Sequence, residues 1–580
     1  MKLSDYIADF LSKQGVTHIF GFAGGAVTHM LDSLHGRRDI RFVSAYHEQA
    51  AAFAAEGYAR AKNDIGVALA TSGPGATNLL TGIGSAYFDS IPCLYITGQV
   101  NTYEYKGDMR LRQLGFQETD IVGIAKPITK YAVRVSDPHK IKYELQKSAA
   151  LARSGRKGPV LLDIPMDVQR ADIKPEELEG YEVESGGEAD DFRLADILRL
   201  LGSARRPVIL AGGGVRASNA SGLLDRFSKR TNIPVVCSLM GLDACDQGSG
   251  LFCGMIGAYG NRYANLTLAN SDLIISLGSR LDSRQTGTRP ASFAREAKLV
   301  RVDIDENELE RKIKGDEIQV RADISHFLKA LTESLSHTSL PDIRPWLARI
   351  AGYMDRYPSY SDISSMHPNS ILHKISEYTG ENDIICLDVG QNQMWAAQSL
   401  RLKSGQRLLV SGGMGAMGFS LPAAVGAHYA SPGRTVISFC GDGGMQMNVQ
   451  ELQLLKRNNI PVKIIVLNNR CLGMIRHFQE MYFESRYEGT IEGYSAPDFC
   501  RIAEAYGIRS RRLEAVGELE DLRHLLKAEG PSLMEISLDR TTYVYPKLAV
   551  NRPLEDQEPL LGRDEFLENM IVKPAAEDST

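Results

Sequence analysis

Short apolar runs rich in β-branched residues alternate with longer amphipathic stretches along almost the whole chain. Ile40–Ala45, Gly66–Thr71 and Cys93–Thr97 come first, followed by Val208–Ala211, Val235–Ser238 and Leu273–Leu277. Ile384–Leu387, Thr435–Cys440 and Val462–Leu467 form a third set. Uninterrupted apolar runs of this length read as strands buried on both faces, and helical patterns of about 12–15 residues separate many of them. The rhythm predicts βαβ units, hence parallel sheets with helices on both sides.

Two weakly patterned stretches divide the chain. One runs from about Lys174 to the polar run Glu184–Glu188, and the other from Ser336 through Pro341 to Pro368. They leave three α/β units near 1–172, 190–335 and 366–545, each expected to be a doubly wound parallel sheet. Residues 546–580 form a tail rich in proline and acidic side chains, suited to folding over another surface. Its 580 residues are too many for one hydrophobic core, which agrees with several domains.

Composition narrows the class. With 43% hydrophobic and 24% charged residues, the chain has the profile of a globular protein. A net charge of −5 without a dense basic run predicts no nucleic-acid partner and no anionic membrane surface. Eight scattered cysteines without a C-x-x-C pair fit reduced thiols better than a disulfide framework or zinc site. Met1–Phe10 carries Asp5 and Asp9 and lacks a signal-peptide core, and no apolar run reaches the roughly 18 residues of a membrane helix. A cytoplasmic protein is the expectation.

The densest chemistry lies in the third unit. The strand pattern Val436–Cys440 leads into Gly441-Asp442-Gly443-Gly444, a helical stretch Gln446–Arg457 follows, and the strand Val462–Leu467 ends in Asn468-Asn469. In a right-handed βαβ unit both strand ends lie at one edge of the sheet, so Asp442 and Asn469, 27 positions apart, point into one crevice. A carboxylate, an amide oxygen and a nearby carbonyl are hard ligands suited to Mg²⁺, which keeps diphosphate oxygens in its shell. Each piece alone is as well explained by a turn. The two pieces at this spacing favour the cofactor reading.

Gly441-Asp442-Gly443 followed by Asn468-Asn469 resembles the signature of thiamine-diphosphate enzymes. The resemblance implies that Asp442, Asn469 and the carbonyl of Cys471 hold the metal that anchors the diphosphate. In the first unit, Ser44-Ala45-Tyr46-His47-Glu48-Gln49 ends a strand and opens an alanine-rich helix. A glutamate in a first helical turn ordinarily serves the helix dipole. Here it resembles the family's glutamate that hydrogen-bonds the aminopyrimidine ring and favours the imino tautomer whose nitrogen takes the thiazolium C2 proton. That glutamate serves a cofactor held by the neighbouring subunit, so the resemblance implies a homodimer or tetramer.

Over nearly the whole chain the resemblance is to the catalytic (large) subunit of acetolactate synthase. It rests on Gly21–Ala26, Thr71–Asn78 and Phe116–Glu118, then Asp388–Gln391, Met394–Gln398 and Ser411–Phe419, in that order. It implies a pyrimidine-binding first domain, a central flavin-type domain and a diphosphate-binding third domain. It assigns Gly25 to the developing oxyanion and Gln117 to the substrate. Met417 would support the bent cofactor, although a core methionine is its ordinary reading. Cofactor contacts fall on Val389, Gly390, Gln391 and Gly415, and on Gly441, Gly443, Gly444 and Met474.

The flavin match rests on Arg156, Gly212 and Gly213 within Gly212-Gly213-Gly214, Ser238-Leu239-Met240, Arg280, Asp303-Ile304 and Asp323-Ile324. Arg284 matches an arginine that pairs with the second substrate's carboxylate. The implied cofactors are thiamine diphosphate, Mg²⁺ and FAD, the last without net redox work. The implied reaction decarboxylates pyruvate and passes the two-carbon unit to a 2-oxo acceptor, as in branched-chain amino acid biosynthesis.

Departures from the biosynthetic pattern fall mostly on the acceptor and flavin sides. Ala23 replaces a proline, Met166 a lysine, Tyr259 a histidine, Ser283 an aspartate and Asn392 a histidine. Phe478 replaces the tryptophan linked to choosing 2-oxobutyrate. The tail resembles thiamine-diphosphate enzymes of surface-sugar biosynthesis, so a nucleotide-linked keto-deoxysugar is the alternative acceptor. A pyruvate oxidase is a lesser alternative. A decarboxylase of the pyruvate decarboxylase kind would carry a His-His pair, which is absent, and a glyoxylate carboligase would lack Glu48. The sequence leaves a regulatory subunit open.

Overall fold

The computed structural model describes residues 1–182, 192–335, 339–360 and 366–575. The polar run Glu184–Glu188 and parts of the second divider, 336–338 and 361–365, lie outside the described residues. Three six-stranded sheets follow one another, and the strand pairings resolved within them are parallel.

The first sheet contains β1 (His18–Gly21), β2 (Arg41–Ser44), β3 (Gly66–Ala70), β4 (Cys93–Gln99), β5 (Tyr131–Arg134) and β6 (Val160–Pro165). The second contains β7 (Pro207–Ala211), β8 (Val235–Cys237), β9 (Phe252–Met255), β10 (Leu273–Leu277), β11 (Lys298–Asp303) and β12 (Ile318–Arg321). The third contains β13 (Ile384–Leu387), β14 (Arg407–Val410), β15 (Val436–Gly441), β16 (Lys463–Asn468), β17 (Arg509–Leu513) and β18 (Ser532–Ser537).

The first and third sheets share one topology. Their orders are β2-β1-β3-β4-β6-β5 and β14-β13-β15-β16-β18-β17. The second sheet runs β9-β8-β7-β10-β11-β12, the 3-2-1-4-5-6 order of a dinucleotide-binding doubly wound fold. Each sheet therefore has a switch point: β1/β3, β7/β10 and β13/β15. Ligand crevices in such sheets open beyond the carboxyl ends of the strands beside that switch.

The described residues form two compact bodies. One gathers Met1–Gly186, Asp383–Asn392 and Leu409–Ser537, and the other Gly187–Asn382, Gln393–Leu408 and Leu538–Thr580. In the first body, helix Glu48–Lys62 packs on helix Ser420–Ala430. Its alanine-rich composition serves that approach. A Cβ on Gly57 would fall 2.1 Å from the Ala423 carbonyl oxygen, and one on Gly426 would fall 1.8 Å from that of Ala54. Larger side chains would hold the two backbones apart, so small residues set the spacing.

In the second body the tail packs on the middle sheet's helices. Arg262 donates to the carbonyls of Gln557 and Pro559, Arg295 pairs with Glu555 at 2.7 Å, and Asn270 accepts from Ile571 N–H at 2.6 Å. Among the described residues, no helix is long and apolar enough to cross a membrane.

Candidate active site

In the third sheet β15 and β16 are adjacent and parallel, with Gly441 opposite Leu467. Asp442 follows β15 and Asn469 follows β16, so both lie at the same sheet edge. Asp442 is 3% exposed and its carboxyl is pushed up to about 6, chiefly by burial. Its Oδ2 accepts from the Tyr494 hydroxyl at 3.0 Å.

The asparagine pair divides its labour. Asn468 builds the turn: its Oδ1 accepts from Arg470 N–H at 3.0 Å, and Arg470 takes a φ of 56°. Asn469 turns its amide nitrogen to Gln391 Oε1 at 2.7 Å. Gln391 begins the helix after β13, on the other side of the switch point, so the chain brings both switch strands to one cluster. Cys471 is buried beside it and contributes an N–H that favours the Asp442 carboxylate.

The glycines mark close approaches. A Cβ on Gly443 would lie 2.8 Å from Leu472 Cδ2 and 2.9 Å from Met417 Cε, and one on Gly444 would lie 2.3 Å from Asp388 Oδ1. Asp388 accepts the N–H groups of Gly418 and Ser420, both at 2.9 Å, and so fixes the turn that carries Gly415 and Met417. Asn392 donates to the Asp388 carbonyl at 2.8 Å, and its Oδ1 faces the Cβ positions of Gly390 and Gly441. Val389 lies in the same turn, while Met474 is half-buried on helix Gly473–Tyr482. A buried carboxylate, an oriented amide and a main-chain carbonyl are a hard-oxygen donor set, and a cation beside Asp442 would offset the cost of burying its charge. These residues fit Mg²⁺ and a diphosphate.

Helix Gln446–Arg457 is not continuous as the sequence pattern expects. Helix Asp442–Met447 begins at the strand end, and Val449–Glu451 and Leu452–Arg457 follow as separate turns. Asn448 breaks it, with φ −134° and its side-chain amide bound to the Gly418 carbonyl at 2.8 Å.

In the first sheet Glu48 opens helix Glu48–Lys62 just beyond β2 and is 7% exposed. Its Oε2 accepts from Asn78 Nδ2 at 2.9 Å, and its Oε1 lies 3.1 Å from the Cβ position of Gly75. Gly24 and Gly25 follow β1. A Cβ on Gly24 would strike Thr71 at 2.4 Å, whereas Gly25 has open space around it. Gln117 takes a φ of 64° and packs against Gly73. The loop is pinned by Glu118, which accepts N–H groups from Lys106 at 3.0 Å and Leu114 at 2.7 Å. Met166 is half-buried at the end of β6, and Phe478 is 44% exposed on helix Gly473–Tyr482.

The middle sheet places its residues at one edge. A Cβ on Gly212 would fall 2.1 Å from the Gly278 carbonyl, and Gly214 N–H bonds that carbonyl at 3.0 Å, so β7 and β10 meet at the switch through glycine. Gly213 faces Met240, whose Cβ would be 3.2 Å from an added methyl. Ser238-Leu239-Met240 follows β8, Arg280 follows β10, Asp303-Ile304 ends and follows β11, and Asp323-Ile324 follows β12. Asp323 caps helix Ile324–Ser334 through Ser325 N–H at 2.8 Å. This edge fits a dinucleotide such as FAD. Arg284 is exposed in the turn Ser283–Thr286. Arg156 belongs to the other body, where its Nε donates to Ser90 at 2.9 Å.

Tyr494, Asn78 as the partner of Glu48, and Glu451 were not singled out from the sequence. Asn78 sits in the quoted Thr71–Asn78 run, whereas Tyr494 is 52 positions from Asp442 in an irregular stretch without a local pattern.

Three family models match in order: the thiamine pyrophosphate enzyme N-terminal TPP binding domain over 1–124, the central domain over 194–331, and the C-terminal TPP binding domain over 388–536. The chain belongs to the thiamine pyrophosphate enzymes of the acetolactate synthase family. It is 37% identical over 550 residues to the acetolactate synthase large subunit of Lactococcus lactis, covering 94% of each chain. It is 36% identical over 555 residues to acetolactate synthase isozyme 2 large subunit of Escherichia coli, covering 94% of this chain and 97% of that one. Against the chloroplastic acetolactate synthase 2 of Nicotiana tabacum the identity is 37% over 574 residues, 96% and 85% of the two chains. This thiamine pyrophosphate enzyme is thus an acetolactate synthase-like carboligase, and its TPP-binding domains carry the two switch-point clusters described above.

Proposed function

We propose that this enzyme decarboxylates pyruvate and joins the two-carbon unit to a second pyruvate, giving acetolactate. The observation that carries the reading is Glu48, a buried carboxylate held by Asn78 at the start of its helix. Thiamine diphosphate, when bound, supplies the electron sink for cleaving a 2-oxo acid. Glu48 would hold the proton at the pyrimidine nitrogen, with Asn78 fixing the carboxylate's direction. Asp442, Asn469 and the Cys471 carbonyl would hold Mg²⁺, and Met417 would buttress the cofactor. The Gly25 N–H would donate to the developing oxyanion, and Gln117 would orient the substrate.

FAD belongs to the proposal as a bound, non-turning-over group at the edge carrying Gly212, Gly213 and Met240. Its support is the dinucleotide-type strand order of the middle sheet. Arg284 would pair with the acceptor's carboxylate. A homodimer or tetramer, with Glu48 serving the neighbouring subunit's cofactor, and a cytoplasmic location complete the reading.

A second reading keeps the same donor and changes the acceptor to a nucleotide-linked keto-deoxysugar. Its support is the acceptor side itself: Met166 is neutral, and Phe478 is smaller than tryptophan and half open to solvent. Mass spectrometry of products from pyruvate, alone and with candidate acceptors, tests both readings. Acetolactate from pyruvate alone supports the first. An acetyl-branched sugar formed in preference to acetolactate overturns it. Peroxide or acetyl phosphate as the main product would mark an oxidase and overturn both.

A further inference from the structure

Cys237 ends β8, and Cys245 lies beyond the next turn. Their sulfurs are 3.4 Å apart, in direct contact. Cys237 is buried, whereas Cys245 is half-buried and meets solvent. The backbone between them is held on every side. Ser238 N–H bonds the Ala211 carbonyl at 3.0 Å, and Ile256 N–H bonds the Cys237 carbonyl at 2.9 Å. Asp243 accepts from Arg407 Nε at 2.9 Å and Leu408 N–H at 3.1 Å, while its carbonyl accepts from Arg216 at 2.5 Å. Asp246 N–H, one residue on, bonds Asp225 at 3.0 Å. A nine-residue segment fixed at both ends thus keeps two thiols together, and contact sustained by the fold is what disulfide formation needs.

We propose that Cys237 and Cys245 form a reversible oxidation site, in which a peroxide oxidises Cys245 and Cys237 resolves it to a disulfide. The peroxide O–O bond breaks as Cys245 takes one oxygen to become a sulfenic acid, and the other oxygen leaves as water. The Cys237 sulfur then bonds the Cys245 sulfur, the S–O bond breaks, and the thiol proton leaves with the hydroxide as water. Exposure assigns the order, because Cys245 meets the oxidant first. The neighbouring Cys245 thiol and burial hold Cys237 well above the ordinary thiol range, so it stays protonated until its partner is oxidised.

Closing the sulfurs from 3.4 Å to a bond of about 2.0 Å draws the two ends of the segment together. That segment contains Ser238, Leu239 and Met240, so the modification falls on the loop assigned above to the flavin. The covalent step does not depend on that assignment.

The test uses the full-length enzyme. It is exposed to hydrogen peroxide, blocked with N-ethylmaleimide after denaturation, cleaved without reductant before Asp243 and Asp246, which parts Cys237, Cys245 and Cys253, and analysed by mass spectrometry. The expected result is one linked peptide pair joining Cys237 to Cys245, lost on treatment with dithiothreitol. Cys245→Ser should abolish the link and leave Cys237 unoxidised. Cys237→Ser should leave Cys245 to advance to the sulfinic acid. The proposal is overturned if Cys245 accumulates as sulfinic acid in the unmodified enzyme, if Cys245 links to Cys253 instead, or if both thiols remain alkylatable. Flavin absorbance, followed alongside, separates the readings: a crosslink in a protein that never binds flavin removes the flavin assignment and leaves the thiol pair standing.

Discussion

Glu451 Oε1 accepts the Tyr46 main-chain N–H at 2.9 Å, so a carboxylate from the third domain holds the turn that presents Glu48. Arg457, at the end of the following helix Leu452–Arg457, reaches the Ser44 carbonyl and stacks over the Tyr46 ring. Glu451 is 1% exposed, and burial pushes its carboxyl up to about 7 from an ordinary value of 4.5. The folded state therefore favours the protonated form. The stability this contributes is complete below about 4.5 and is lost as pH rises through about 7.

Glu451→Gln keeps an acceptor for Tyr46 and removes the ionisation. Relative to wild type it should gain on the order of 3 kcal/mol between about pH 5 and about pH 8. Urea midpoints of both proteins at the two pH values measure this. A constant difference between them would show that Glu451 does not titrate in this range.

Glu48→Gln should fold and bind thiamine diphosphate, since the amide oxygen still accepts from Asn78. Turnover should fall about 10²–10⁴-fold, the usual worth of a general acid–base group. Deuterium exchange at the cofactor C2–H, followed by NMR, reads the step directly. Wild-type exchange in the variant would remove Glu48 from the chemistry.

The strand pattern was highly legible because buried parallel strands are written as uninterrupted apolar runs. Leu273–Leu277 and Ile384–Leu387 match β10 and β13 end to end, and Val235–Ser238 overruns β8 by one residue. The placing of Asp442 and Asn469 at neighbouring strand ends follows from βαβ geometry and was legible for that reason. Contacts across long sequence separation were not. Nothing local to Glu451 indicates that it caps a turn 405 positions away, and nothing near Tyr494 points to Asp442. The break at Asn448 has no local signal either, because it is set by a tertiary bond to Gly418 that overrides local helix propensity.

The purified enzyme should carry FAD that stays oxidised through turnover. Gly213→Asp would set a carboxylate beside Met240, at the strand end assigned to the flavin, and should release the flavin while leaving the thiamine site intact. Absorbance spectra of the two proteins test this. A colourless wild-type enzyme with full activity would show that the departures at Tyr259 and Ser283 have removed the site.

Unmodified enzyme offered equal pyruvate and 2-oxobutyrate should show little preference between them. Phe478→Trp should raise the 2-oxobutyrate share by a pocket contact worth about 1–3 kcal/mol. Quantifying both acetohydroxy acids from a competition assay checks this. A strong 2-oxobutyrate preference in the unmodified enzyme would contradict this reading of Met166 and Phe478.

Whether the Asp442 cluster holds a working thiamine diphosphate is decided by pyruvate consumption by enzyme stripped of cofactor and metal, before and after they are restored. Stripped enzyme should be inactive, thiamine diphosphate with Mg²⁺ should restore carbon dioxide release, and Asp442→Ala should require far more cofactor for the same rate. Full-rate turnover by the stripped enzyme would show that pyruvate is cleaved without thiamine diphosphate.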